Sequence, residues 1–312
     1  MSDRHRIGIV GARGHTGSRL LPLILGHPSL HLVLAGSREL AGQVVPGAED
    51  MTFESIDPDR LSGSSVDAVI LALPDGAGDA YVEAAGAETV IIDISADHRS
   101  DDDWAYGLPE LNRPQLKGAT RIANPGCYAT AAQIALAPLL DMISGVPALF
   151  GVSGHSGAGA TPGPRNDVDR LADNLMPYSL VGHNHERETT RHLGIPVRFM
   201  PHVHPAFSGL LVTAHVPLSA AITAEDVRSR FVNLYSEEPL VDIDDAIPEL
   251  KDGTGRIGVL VGGFDVSDDG RNAVVVAAED NLLKGAAVQA IQNLNLALGL
   301  PELEGIGGRA AH

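Results

Sequence analysis

The chain has 312 residues, 44% of them hydrophobic and 20% charged, which describes a globular protein with enough length for two domains and a substantial core rather than a disordered one. Its 40 acidic side chains against 22 basic ones give a net charge of -18, a field that repels nucleic-acid phosphates and anionic membrane surfaces, so an anionic small molecule needs a local cluster of donors. No apolar run is long enough to span a membrane, the opening MSDRHRIGIV has no signal-peptide core, and one cysteine excludes an internal disulfide, so a cytoplasmic protein is expected.

In chain order, Arg6 to Val10 is a short β-branched run, followed at once by Gly11, Gly14 and Gly17 in GARGHTG, a helical segment over Leu20 to Leu25 and a second strand over His31 to Leu34. Strand, glycine turn, helix and strand form the context of a dinucleotide site. There the glycines admit the tight turn and the pyrophosphate, and helix amides attract the anion. The spacing is GxxGxxG rather than GxGxxG, which leaves an ordinary βα turn as the alternative. Gly11, Arg13, Gly14, His15, Thr16 and Gly17 are the candidates for this contact. At the end of the second strand an NAD site places an acid for the ribose diol, but this chain has Ser37 and Arg38, which suit the 2′-phosphate of NADP. Glu39 beside them keeps a solvated loop charge as the competing reading.

The segment 41–64 is acidic and irregular, without a motif. Strands are expected at Ala68 to Leu73 and Thr89 to Ile94, with a crossover helix over Gly78 to Ala87. Each strand ends in small or polar residues, as loops at the carboxyl edge of a parallel sheet do. Leu73, Pro74 and Ser95 at that edge are further cofactor candidates, as is Asn281 at the start of a late segment, NLLKGAA.

Cys127 follows the turn Asn124, Pro125, Gly126 and opens an Ala/Leu-rich helix expected to end near Met142. Amides and the dipole at a helix start favour a thiolate, although a lone cysteine is also a common core residue. The next glycine-rich loop, VSGHSGAG, offers hydroxyls and backbone amides to an anion, or is a plain connector. Two HxH pairs follow, His183 with His185 and His202 with His204; on strands each pair would point both rings to one face and suggest a metal, but no carboxylate or thiolate stands at a familiar metal spacing, and no metal is expected. A cysteine nucleophile needs a base, and one of these histidines is expected to supply it.

These pieces converge. The segments GARGHTGSRL, AGSRELAG, DAVILALPDG, VIIDISADHR, YGLPELNR, NPGCYAT, SGHSGAG, GHNHERE, FMPHVHP and DNLLKGAAVQAIQNLNLALGL run over nearly the whole chain. On them the chain resembles the N-acetyl-γ-glutamyl-phosphate reductase family of the semialdehyde dehydrogenase group. The resemblance implies an α/β fold in two domains. Residues 1–126, completed by 281–312, would form a Rossmann NADP-binding domain, and residues 127–280 a catalytic and oligomerising domain with a mixed or antiparallel sheet. It implies NADPH-dependent reduction of N-acetyl-γ-glutamyl phosphate to the semialdehyde, a step of arginine biosynthesis. Cys127 would be the thioester-forming nucleophile, His185 or its neighbour His183 the acid/base, and the protein a homo-oligomer, dimer or tetramer. The chain departs from many relatives where they carry a basic residue, shortly after SGHSGAG and again after PHVHP. Arg99, Arg113 and Arg165, with Asn124, Ser156 and Gly157 as uncharged groups, are therefore the candidates for holding substrate. Sister enzymes acting on aspartyl phosphate or a carrier-bound amino acid, a non-catalytic NADP sensor and an HxH metal hydrolase are the rival readings.

Overall fold

The computed structural model describes residues 4–307, which divide into two compact units: one made of residues up to Pro125 and from Ala286 onward, the other of Gly126–Gly285. The first unit opens with β1 (His5–Val10), α1 (His15–Leu25) and β2 (Leu30–Gly36). The segment without a motif, 41–64, forms a small hairpin, β3 (Val44–Val45) with β4 (Ala48–Thr52), and a short helix α2 (Pro58–Ser62) capped by the Asp57 carboxylate. Then come β5 (Ala68–Leu71), α3 (Asp79–Ala85), β6 (Val90–Asp93), β7 (Ala105–Tyr106), α4 (Pro109–Leu116) and β8 (Arg121–Ala123). The six longer-range strands form one sheet in the order β2-β1-β5-β6-β8-β7, every pairing parallel. Val69, Ile70, Leu71, Ile91 and Ile92 are fully buried, as strands covered on both faces require. The sheet is that of a doubly wound nucleotide-binding fold, with the chain reversing direction beside β1.

The second unit begins with α5 (Cys127–Leu136), in which every residue from Tyr128 onward is buried. The expected run to Met142 is interrupted: Pro138 has no N–H to continue the ladder, and Ala137–Met142 tightens into a 3₁₀ turn. There follow β9 (Ala148–Gly154), α6 (Val168–Leu171), β10 (Met176–Pro177), α7 (Asn184–Leu193), β11 (Arg198–His204), β12 (Leu210–Pro217), α8 (Ala224–Tyr235), β13 (Val241–Ile243), α9 (Leu250–Gly253), β14 (Val259–Val266) and β15 (Asn272–Glu279). They build a mixed sheet ordered β10-β11-β9-β12-β15-β14-β13, parallel at β11/β9 and β13/β14 and antiparallel elsewhere. After a π-helical turn at Leu283–Ala287, α10 (Val288–Ala297) returns the chain to the first unit. All ten residues of α10 are buried, four of them Gln or Asn. Asn293 donates to Gly107 O and to Asn124 Oδ1, and Asn295 Oδ1 meets His27 Nε2 at 3.1 Å, so these two side chains are tied to the rest of the first unit. No helix among the described residues is long and apolar enough to cross a membrane.

Candidate active site

In the first unit the glycine turn is shaped by backbone proximity. Gly11 has φ of +90°, and a Cβ there would overlap the Ala72 carbonyl; a Cβ on Gly17 would strike the backbone of Gly11 and Ala12. Gly14 caps α1 without any side-chain cap, and no acidic residue lies in the first turn. That helix start, carrying His15 and Thr16, suits the phosphates of a dinucleotide: a narrow cradle of backbone with no acid in the first turn. At the end of β2, Ser37 is buried and its Oγ accepts from Leu40 N at 3.2 Å. Arg13 reaches Glu39 at 2.8 Å, whereas Arg38 is exposed and has no hydrogen bond or ion pair among the described residues. At the carboxyl edge, Leu73 packs on the core beside Val10 and Tyr81, and Pro74 is exposed. Ser95 donates its hydroxyl to Asp93 at 2.7 Å, and Asp93, buried, has its pKa raised by desolvation. Reciprocal bonds tie this edge together, Gly76 N to Asp97 and Ala96 N to Asp75.

Three expected substrate residues of this unit are spent internally. Arg99 donates to the carbonyls of Asn124 and Ile94 at 2.9 and 2.8 Å. Arg113 forks onto Glu302 at 2.7 and 3.2 Å. Asn124 is fully buried, its amide donating to Ala286 O and accepting from Asn293.

The second unit gathers the reactive side chains. Cys127 is the first residue of α5, with the Gly126 amide donating to Glu188 Oε1 at 2.9 Å. Gly285 comes against it closely: a Cβ there would lie 2.6 Å from Cys127 Cβ and 2.7 Å from Glu279 Oε1. Asp280 fixes that approach. Its backbone carbonyl accepts from Leu283 N and Gly285 N, and its carboxylate accepts from Leu282 N, Gly255 N and the Ser208 hydroxyl.

His183 and His185 do not lie on a strand as the HxH pattern suggested. Asn184 starts α7, and His183 is its N-cap, its Nδ1 accepting from His185 N at 3.1 Å. Three residues past His185, one helical turn on, stands Glu188, whose carboxylate holds Gly126. The two imidazole centroids are 4.8 Å apart and lie 6.4 Å (His183) and 5.8 Å (His185) from the Tyr128 ring. Tyr178 is 5.4 Å from His183, and Arg165 sits 4.8 Å over the Tyr178 ring. Burial lowers the His183 pKa to about 4, with Arg165 adding to the effect. Burial raises the Tyr128 and Tyr178 phenols, and the Cys127 sulfur pushes both further in the same direction. His202 and His204 do alternate on β11, with His202 against Phe150 at 4.4 Å. Among the described residues no group of three His, Cys, Asp or Glu could hold a metal ion.

The loop after β9 is more committed than its composition suggested. The amides of His155, Ser156 and Gly159 bond to the carbonyls of Ala206, Phe207 and Ser156. Asn281, expected at the cofactor, belongs to the second unit, donating to Ser156 Oγ and accepting from Gly209 N, both at 3.0 Å. Gly157 stands beside that pair: a Cβ on it would come 3.1 Å from Ser153 Oγ.

Residues 6–119 match the model of the semialdehyde dehydrogenase NAD binding domain, and residues 127–281 that of the semialdehyde dehydrogenase dimerisation domain. N-acetyl-gamma-glutamyl-phosphate reductases from Xanthomonas campestris pv. campestris and Stenotrophomonas maltophilia are 52% and 51% identical, each alignment covering 96% of this chain and 98% or 97% of the relative. The chain belongs to the semialdehyde dehydrogenase family. Solved members share its fold at low identity. Aspartate semialdehyde dehydrogenase II from Vibrio cholerae has a TM-score of 0.76 and 21% identity, over 95% of this chain and 99% of that one. The enzyme from Candida albicans, solved with NADP, gives 0.71 and 18%, over 95% and 99%. Within a semialdehyde dehydrogenase framework, Glu188, Tyr128, Tyr178 and Gly285 are the residues that reading the sequence passed over. Of these, Glu188 and Gly285 had a signal in GHNHERE and DNLLKGAA, since a carboxylate one turn after a histidine shares its helix face. Tyr178 had none, because only folding brings it against His183.

Proposed function

We propose that this chain reduces N-acetyl-γ-glutamyl phosphate to N-acetylglutamate γ-semialdehyde and phosphate with NADPH, through a thioester on Cys127, in arginine biosynthesis. The activity follows the relatives that are half identical over almost their whole length. What supports the mechanism is that Cys127 opens α5 and that Tyr128, the next residue, stands 5.8 Å from His185 and 6.4 Å from His183, with Tyr178 5.4 Å from His183.

The Cys127 thiolate, favoured by the amides at the start of α5, attacks the acyl carbon; the sulfur–carbon bond forms and phosphate departs with the electron pair of the broken bond. Backbone amides there are placed to meet the oxyanion of the tetrahedral intermediate. When bound, the nicotinamide supplies the hydride that a thioester accepts far better than a carboxylate does. Collapse of the resulting thiohemiacetal regenerates the Cys127 thiolate while the acid/base takes the hydroxyl proton. His185 fits that task. His183 already uses Nδ1 to cap α7, and with its pKa lowered to about 4 it is a weak base for that proton. Glu188, buried and bonded to Gly126, ties the helix bearing His185 to the residue before the nucleophile, so the two are held in one geometry.

NADP is the preferred cofactor because Glu39 is neutralised by Arg13, leaving Arg38 and Ser37 to face a 2′-phosphate. The protein assembles as a homodimer through its second unit, where Phe150 and Met200 pair across β9 and β11 and stand exposed. Sedimentation at micromolar concentration checks this.

The decisive experiment is Cys127→Ser. Phosphate-dependent NADP reduction with the semialdehyde is expected to fall by on the order of three decades or more, with NADPH affinity intact. Full activity in that variant rules out the covalent route.

A further inference from the structure

We propose that Arg165, seated over Tyr178, is the specificity-determining residue that receives the α-carboxylate of the N-acylated substrate. This rests on the function proposed above and adds the means of telling that substrate from its uncharged analogues.

An anionic substrate meets a chain of net charge -18, so its carboxylate needs a cation that no protein carboxylate has already claimed. The other two arginines singled out by sequence are committed, Arg113 to Glu302 and Arg99 to backbone carbonyls. Arg165 differs. It is solvent-accessible and makes no ion pair with a carboxylate among the described residues. Its guanidinium carbon lies 4.8 Å over the Tyr178 ring and the two side chains share a hydrogen bond, which orients the planar fork while its five N–H groups exceed what one phenol can take.

That stack joins the ring cluster around Tyr128, the residue after Cys127, whose ring lies 6.4 Å from His183. The Tyr178 ring is 5.4 Å from His183, which is 4.8 Å from His185. The charges agree with this placement, since Tyr178 responds to both Cys127 and Arg165 and His183 responds to Arg165. Tyr178 thus neighbours both the histidine pair beside the nucleophile's helix and the cation. The substrate has the matching form, with a reacting carbonyl at one end of a short methylene chain and a carboxylate at the other. The sequence points the same way. After SGHSGAG no basic side chain occurs until Arg165, and Ala206, Phe207 and Ser208 supply none after PHVHP. Tyr178 is a positioning residue in this arrangement: it orients Arg165 and does not itself carry the charge.

The test is steady-state kinetics in the semialdehyde-oxidising direction, on the whole enzyme, for wild type, Arg165→Ala, Arg165→Lys and Tyr178→Leu. Two substrates are compared, the N-acetylated semialdehyde and its α-carboxamide. Arg165→Ala is expected to raise the KM for the carboxylate substrate by about thirtyfold, as loss of a charge-assisted pair does, with the KM for phosphate and NADP within about twofold. The wild-type preference for carboxylate over carboxamide should collapse in the same variant. Arg165→Lys should recover part of it, and Tyr178→Leu should give a smaller KM rise than Arg165→Ala. An unchanged KM for the semialdehyde overturns the proposal. So does a rise confined to phosphate, which moves Arg165 to the leaving group, or an equal loss with both substrates, which makes its role structural. Wild-type enzyme without phosphate-dependent activity, or retaining it after iodoacetamide modifies Cys127, defeats the function proposed above and not the role of Arg165 alone.

Discussion

The two units build their sites by opposite means. The first uses backbone: Gly11 and Gly17 are required because no Cβ fits, and α1 begins with no side-chain cap. The second uses side chains drawn from distant stretches, Cys127 and Tyr128 from α5, Arg165 and Tyr178 from the loops around α6 and β10, His183, His185 and Glu188 from the start of α7. A backbone site is local and tolerates side-chain change around it. A side-chain site depends on the packing of helix on strand, here on Tyr128 against Phe199 and on its hydroxyl donating to His202 O at 2.8 Å.

That contrast can be broken with paired glycine substitutions. Gly285→Ala puts a methyl 2.6 Å from Cys127 Cβ, and kcat is expected to fall by roughly ten- to a hundredfold while NADPH affinity, measured by fluorescence titration, stays put. Gly11→Ala, at φ +90° and against a carbonyl, should instead weaken cofactor binding and destabilise the first unit by about 2–4 kcal/mol in urea. If both variants lose the same property, the division of labour between the units is wrong.

A smaller effect sharpens cofactor choice. Arg38→Ala is expected to raise the KM for NADPH about tenfold and to leave that for NADH nearly unchanged; equal changes would take Arg38 away from the 2′-phosphate.

The smallest effect is on stability against pH. Folded His183 stays neutral down to about pH 4, whereas in the unfolded chain it takes a proton near its ordinary 6.5. Below pH 6.5 the unfolded chain therefore binds the extra proton, and stability falls between 6.5 and about 4, by about 1–2 kcal/mol. His183→Gln should flatten that slope in urea titrations at the two pH values; an unaltered slope would assign it to another group.

The same contrast explains what could be read from sequence. In the first unit β1, α1 and β2 follow from a β-branched run and three glycines, so both elements and ligand type were legible close to the residue. Cys127 at a helix start was legible for the same local reason. The HxH pair was misplaced because alternation alone does not tell a strand from a helix N-cap, and His183 caps its helix through an imidazole nitrogen rather than a hydroxyl or carboxylate. The bonds of Asn281 to Ser156 and Gly209 were not legible, because those partners are 125 and 72 residues away. Arg113 looked available because its partner, Glu302, is 189 residues further along.

The buried helix α10 also sets an order of events during synthesis. Every strand of the inserted unit precedes residue 285 in the chain, whereas the host unit still awaits Gln292, Asn293 and Asn295. Until those side chains arrive, the groups at Glu110, Gly107 and His27 have no interior partner from this helix. A chain truncated before residue 288 therefore has every strand of the inserted unit but leaves the seat of α10 in the host unit uncovered.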